Sequence, residues 1–172
     1  GKHSYSEKPL SIKFEHGQEL VNLGNSKGLH VGCAPDTFLG AGIQVAKKII
    51  DQNEIGKINL GSISMGVAGH EIWHPNPDFY YKYGGGPILD MGPYYFTALV
   101  NLLGPAKNVY TQSRTIYQRR IIGSGDRQGQ EIEVEIPTTL VSQIEFQNGF
   151  HSFFSLSIYA LLWKQRLFSS LL

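Results

Sequence analysis

The sequence predicts an α/β segment that runs into an α+β segment built on a large, mostly antiparallel open sheet. Three observations carry that expectation. Residues 1–33 read as strand, helix, strand, the order of layered α/β folds. From residue 57 to 68 and again from 108 to 146, apolar residues recur at about every second position between polar turns, which is the period of strands. Between those blocks, after Gly40 and after Asp90, apolar residues recur with the helical period.

Taken in order, Gly1 to Leu10 reads as a short strand entering a loop, and Pro9 biases Lys8 toward an extended backbone. Ile12, Phe14, Leu20, Val21 and Leu23 give a helix within Ser11–Lys27 that ends at Gly24 or Gly28. Leu29 to Cys33 reads as a buried strand closed by Ala34-Pro35. This is the closing part of a doubly wound nucleotide-binding fold. Such folds place a glycine-rich turn on the first strand, where helix N–H groups hold a pyrophosphate. No such turn precedes Lys8, and Gly40-Ala41-Gly42 lacks a third glycine at the right spacing. The expectation is therefore a fragment whose first strands are missing. Ala41 to Gly56 follows as a helix, with Ile43, Ala46, Ile49 and Ile50 on one stripe and Lys47, Lys48, Asp51 and Gln52 opposite. Strands are then expected over Lys57–Ala68, Asn108–Ile122, Glu131–Ile136 and Leu140–Phe146, the last running into a tight turn at Gln147-Asn148-Gly149.

The stretch that draws chemistry together is Gly84-Gly85-Gly86-Pro87-Ile88-Leu89-Asp90-Met91-Gly92-Pro93-Tyr94-Tyr95. Three glycines allow positive φ or a close backbone approach. Met91, Tyr94, Tyr95, Ala98, Leu99, Leu102 and Leu103 then mark a helix stopped by Gly104-Pro105, with Asp90 as N-cap and Pro93 in the first turn. Asp90 and Tyr94 are four apart and share a face. A carboxylate and a phenol beside a glycine loop make a proton-transfer site, or an N-cap and a core tyrosine. Upstream, His70-Glu71-Ile72-Trp73-His74 matches the zinc-protease spacing, which works only on a helix. Gly66 and Gly69 before it and Pro75-Asn76-Pro77 after it oppose one, so no metal site is expected. The aromatic loop His70–Tyr83 is instead read as lining a sugar-sized cleft, or as plain packing.

Gly1-Lys2-His3-Ser4-Tyr5-Ser6-Glu7-Lys8-Pro9-Leu10 resembles the GKHV-x-x-EKP-L segment of the Gfo/Idh/MocA oxidoreductases, and the glycine stretch above resembles that family's second motif. Up to Gly149 the chain is similar to that family. The resemblance implies a C-terminal remnant of a Rossmann NAD(P)-binding domain over residues 1–35, a substrate and oligomerisation domain over 36–149, and an atypical tail over 150–172. It implies an NAD- or NADP-dependent dehydrogenase acting on a sugar, polyol or related hydroxy or keto compound. Lys8, Asp90 and Tyr94 would be catalytic, with Tyr94 where most members carry histidine. Glu7, Lys8 and Pro9 would meet the cofactor, and Asp36, Trp73, His74 and Tyr95 the substrate. A free phenol has a pKa of about 10, so a phenolate base would need a cation such as Lys8 nearby. The fragment alone is expected to bind NAD(P) poorly.

Composition narrows the partners. A net charge of +1 argues against nucleic acid or an anionic membrane. A single cysteine, Cys33, excludes an internal disulfide and fits a reducing, cytoplasmic setting. No apolar run reaches membrane-spanning length. An open sheet is expected to pair with a second copy in the intact protein. Phe150 to Leu172 carries no Asp or Glu and reads as an artificial junction or a basic amphipathic anchor. The alternative functions are a non-catalytic carbohydrate-binding remnant and a zinc hydrolase using His70, Glu71 and His74.

Overall fold

The structure, a computed structural model, describes residues 1–158. The chain divides into two compact units: Gly1–Lys57 with Leu89–Gly104, and Ile58–Ile88 with the chain from Pro105 onward. The first division along the chain falls after Lys57. The reason is packing: the helix after Gly40 stays with the helix after Met91.

In the first unit, strands β1 (Ser4–Ser6) and β2 (Val31–Cys33) lie parallel, with Tyr5 opposite Gly32. Helix α1 (Phe14–Ser26) connects them and ends where Lys27 N–H and Leu29 N–H both return to the Gly24 carbonyl, at 3.0 and 2.9 Å. The strand–helix–strand order read from residues 1–33 is thus present, with shorter strands than expected. A 3₁₀ turn over Asp36–Leu39 leads into α2 (Ala41–Asp51), which stops short of Gly56. Asn53, at φ 57°, takes the left-handed conformation that ends a helix.

The second unit opens with β3 (Leu60–Gly66), a 3₁₀ turn over His70–Ile72 and the short helix α3 (Asp78–Tyr81). Gly85 belongs to a close backbone approach, since a Cβ there would collide with the Phe79 carbonyl oxygen. Helix α4 (Gly86–Asp90) follows and carries the chain across the division. Back in the first unit, α5 (Gly92–Leu103) has Pro93 in its first turn and ends at Gly104, φ 87°. It buries Ala98 and Leu99 and packs against α2 and the 36–39 turn.

The remaining strands are β4 (Ala106–Arg114), β5 (Arg119–Ile121), β6 (Glu131–Glu133), β7 (Thr139–Phe146) and β8 (His151–Ser157). The main sheet among the described residues has four strands in the order β3-β8-β7-β4. β7 pairs antiparallel with both β8 and β4, while β8 runs parallel to β3. The sheet is therefore mixed. Its parallel pair arises because β8, returning from β7 through the turn at Gln147–Gly149, is inserted beside β3 instead of leaving β3 to pair with a sequence neighbour. β5 and β6 form a separate antiparallel ribbon, so the run expected over Asn108–Ile122 is broken between two sheets. On β6 the glutamates face solvent and Ile132 is buried, the alternation expected of that segment.

Strict alternation on β7 and β8 builds the core of this unit. Leu140, Ser142, Ile144 and Phe146 turn inward, as do Ser152, Phe154 and Leu156. The opposite face of the sheet leaves Leu60, Tyr110, Val141 and Phe153 exposed. A second cluster joins Tyr80, Tyr81, Ile122, Ile132, Val134 and Ile158, so α3 is seated on the β5–β6 ribbon. Strand β8 lies beyond Gly149, inside the segment expected to be an atypical tail. The rest of that tail call, residues 159–172, lies outside the described residues.

Candidate functional site

Strand β1 ends at Ser6, and the next residues turn Lys8 toward the start of α5. The Lys8 ammonium donates to the Asp90 carboxylate at 2.7 Å and also to the Asp90 main-chain carbonyl. It stands over the ring of Tyr94, 4.9 Å from the centroid, at cation–π distance. The lysine side chain is 11% exposed and that of Asp90 28%, so this ion pair is shielded much more than a surface pair. An ammonium has three donors. Two are spent on Asp90, which leaves one to meet another oxygen.

Residues 82 positions apart in sequence are thus brought together, as the two motifs required. The route differs from the expectation in one respect. Asp90 is not the N-cap of α5: Met91 holds that position, and its side chain makes no capping hydrogen bond. Helix α4 runs up to Asp90 and gives it helical backbone, and its carboxylate accepts from the Lys8 ammonium. Tyr94 sits within the first turn, its N–H bonded to the Met91 carbonyl at 3.2 Å. Tyr95, one residue on, is half-buried and points about 100° away around the helix.

The remaining candidates fall elsewhere. The Glu7 carboxylate accepts from the Lys8 main-chain N–H at 3.2 Å, and Pro9 follows through a cis peptide. Asp36 is exposed at the start of the 36–39 turn. Trp73 and His74 belong to the second unit. Trp73 is 63% exposed and meets the His74 ring edge-on at 5.4 Å, while His74 Nδ1 accepts from Asn76 N–H at 3.0 Å.

Within the His70–His74 stretch only His70–Ile72 is helical, as a short 3₁₀ turn, in keeping with its flanking glycines and prolines. Glu71 points inward and is 4% exposed. Its carboxylate accepts from Arg120 Nε at 2.7 Å, from Arg120 Nη2 and from the Tyr81 hydroxyl, while Arg120 Nη2 also donates to the Ala68 carbonyl at 2.7 Å. Residue spacing gave no sign of Arg120 or Tyr81. The available signal was a glutamate set among aromatic residues, which has to find a cation if it is buried.

Burial, and after it the hydrogen bond to Glu71, pushes the Tyr81 hydroxyl well above its ordinary pKa of 10.0. The fold thus favours the neutral phenol. Its contribution is complete below about pH 10 and is lost above that, where the unfolded chain gives up the proton first. Thermal unfolding from pH 8 to 11 is expected to show a steeper alkaline fall in the native protein than in Tyr81→Phe. Parallel curves would contradict this.

The family description "GFO/IDH/MocA C-terminal domain" matches residues 43–167. The chain belongs to this family. The match continues beyond Gly149, the limit drawn from the motifs alone. D-xylose dehydrogenase of Paenarthrobacter nicotinovorans is 25% identical over 120 residues, covering 67% of this chain and 31% of that protein. Among solved structures, an NAD binding oxidoreductase from Klebsiella pneumoniae superposes with a TM-score of 0.78 at 23% identity, covering 94% of this chain and 43% of the other. Levoglucosan dehydrogenase in complex with NADH and L-sorbose gives 0.78 at 20%, again covering 94% and 43%. The chain spans less than half the length of each of these relatives. Among the described residues, no helix is long and apolar enough to cross a membrane.

Proposed function

We propose that this chain is the substrate-side part of an NAD(P)-dependent oxidoreductase that interconverts a hydroxyl and a carbonyl on a sugar or polyol. The observation that carries the reading is the Lys8 ammonium, fixed by Asp90 above the Tyr94 ring. D-xylose dehydrogenase and the L-sorbose complex of levoglucosan dehydrogenase support the sugar class. The parallel β1–α1–β2 unit supports a Rossmann remnant.

The residues present fit one end of the cofactor. Glu7, Lys8 and Pro9 follow the end of a parallel strand, where this kind of fold receives its ligands, and Lys8 keeps one donor to spare. The β1–α1 connection, residues 7–13, contains no glycine, so the described residues offer a contact for the nicotinamide end and no cradle for the pyrophosphate there. NAD(P), when bound, supplies or accepts the hydride.

The chain's own part is proton handling and orientation. In the reducing direction Tyr94 gives its hydroxyl proton to the substrate oxygen as that oxygen gains charge, and takes the proton back in the oxidising direction. The spare Lys8 donor stabilises the same oxygen, and Asp90 holds Lys8 on target. Within the second unit, taken by itself, Trp73 has the ring face and His74 the imidazole edge that suit contact with a sugar. The test is Tyr94→Phe in a form that carries a complete dinucleotide-binding domain, assayed against pentoses, hexoses and polyols. Turnover is expected to fall roughly 10²-fold with cofactor affinity little changed. Near-native turnover would remove Tyr94 from the mechanism.

A further inference from the structure

The Glu71–Arg120 pair is the most enclosed ion pair among the described residues, with side chains 5% and 9% exposed. A buried pair of this kind is a poor stabilising device, because desolvation offsets most of its attraction and apolar residues of similar volume do as well or better. Its geometry points to a different role. Arg120 on β5 ties two points of one short segment, the Ala68 carbonyl and, through the guanidinium fork, the Glu71 carboxylate; just past β5, Gly123 N–H adds a main-chain bond to the Glu71 carbonyl at 2.7 Å. Between them Gly69 has φ 114°, and a Cβ there would run into both the carboxylate and the guanidinium. The segment can close on the pair only with glycine at that position. Directly after this anchored stretch, Ile72 and Trp73 turn outward and are exposed. On the outward side Met65, Val67, His70 and Trp73 border an open, mainly apolar cavity of about 320 Å³, at the small end of ligand-site volumes.

We propose that Glu71 and Arg120 are positioning residues that fix segment 68–74 in the one conformation that forms this cavity and presents Trp73 and His74. The proposal rests on the reading that those two residues meet a sugar. A stabilising role and a positioning role are separated by removing the whole polar cluster at once, since deleting both partners of a buried interaction is nearly neutral for stability. The test uses the full chain with Trp163→Phe, which leaves Trp73 as the sole tryptophan. It compares the parent with Glu71→Met/Arg120→Met/Tyr81→Phe and with Arg120→Lys.

The triple variant is expected to melt at or above the parent temperature while amide exchange at 68–74 quickens roughly tenfold and other segments keep their protection. Arg120→Lys keeps the charge but loses the planar fork, and is expected to lie between the two. Should the triple variant fail to fold, Arg120→Lys carries the comparison alone, with faster exchange confined to 68–74 as the supporting result. Unchanged exchange at 68–74 in a folded variant, or exchange raised evenly through the chain, would overturn the proposal. Titration with D-xylose, followed by Trp73 fluorescence, tests the underlying reading separately. Saturable quenching that weakens about tenfold in the triple variant supports both. Loosened exchange with no quenching in the parent supports the clamp and counts against the sugar reading alone.

Discussion

Lys8→Met is expected to lower turnover by roughly 10³-fold in a form able to bind the dinucleotide. Methionine keeps most of the aliphatic stem and removes the ammonium, so packing against Tyr94 changes little while two functions go at once. The substrate oxygen loses the donor left over from Asp90, and the Asp90 carboxylate loses its bonded cation. A carboxylate stranded beside a developing negative charge opposes the reaction it had supported. Steady-state kinetics with the best sugar substrate would measure the effect. The loss should fall on kcat, because the interaction strengthens only as charge develops. A fall of less than about tenfold would mean that the ammonium is there to hold α5 and not to act on substrate.

The second large effect is on stability. Arg120→Met leaves Glu71 buried with only the Tyr81 hydroxyl on its carboxylate. Breaking one side of a buried pair in this way costs about 3–5 kcal/mol, because the remaining charge keeps its desolvation penalty without its partner. Urea unfolding should show the midpoint displaced accordingly with an unchanged slope. A loss under about 1 kcal/mol would show that water reaches Glu71 and that the pair behaves like a surface contact. The contrast with the triple variant matters here: the single change is expected to be severe and the complete apolar replacement mild.

Parts of this arrangement could be read directly from residues, and parts could not. The stop of α5 was legible because Gly104-Pro105 cannot continue a helix. β7 was legible because Leu140, Ser142, Ile144 and Phe146 keep a period of two. The meeting of Lys8 with Asp90 and Tyr94 was legible only through the resemblance, since nothing local in either segment specifies a partner so far away. Asp90 was misplaced as a cap because the short helix before it is set by the glycine turn packing on Phe79, a tertiary contact. Strand β8 was hidden because Phe153-Phe154 interrupts the alternation, and only pairing on both sides shows which of the two faces inward. Glu71 illustrates the same limit: its partner lies 49 residues on, and nothing local to the His70–His74 match names the cation that balances its charge.

The account turns on one proton passing through Tyr94 in reach of the Lys8 ammonium. The most direct measurement is the single-turnover rate of nicotinamide oxidation or reduction in Tyr94→Phe, with cofactor saturating and its dissociation constant determined alongside. The account predicts a rate roughly 10²-fold below that of the unaltered protein and a dissociation constant within about twofold of it. A rate equal to that of the unaltered protein would contradict it.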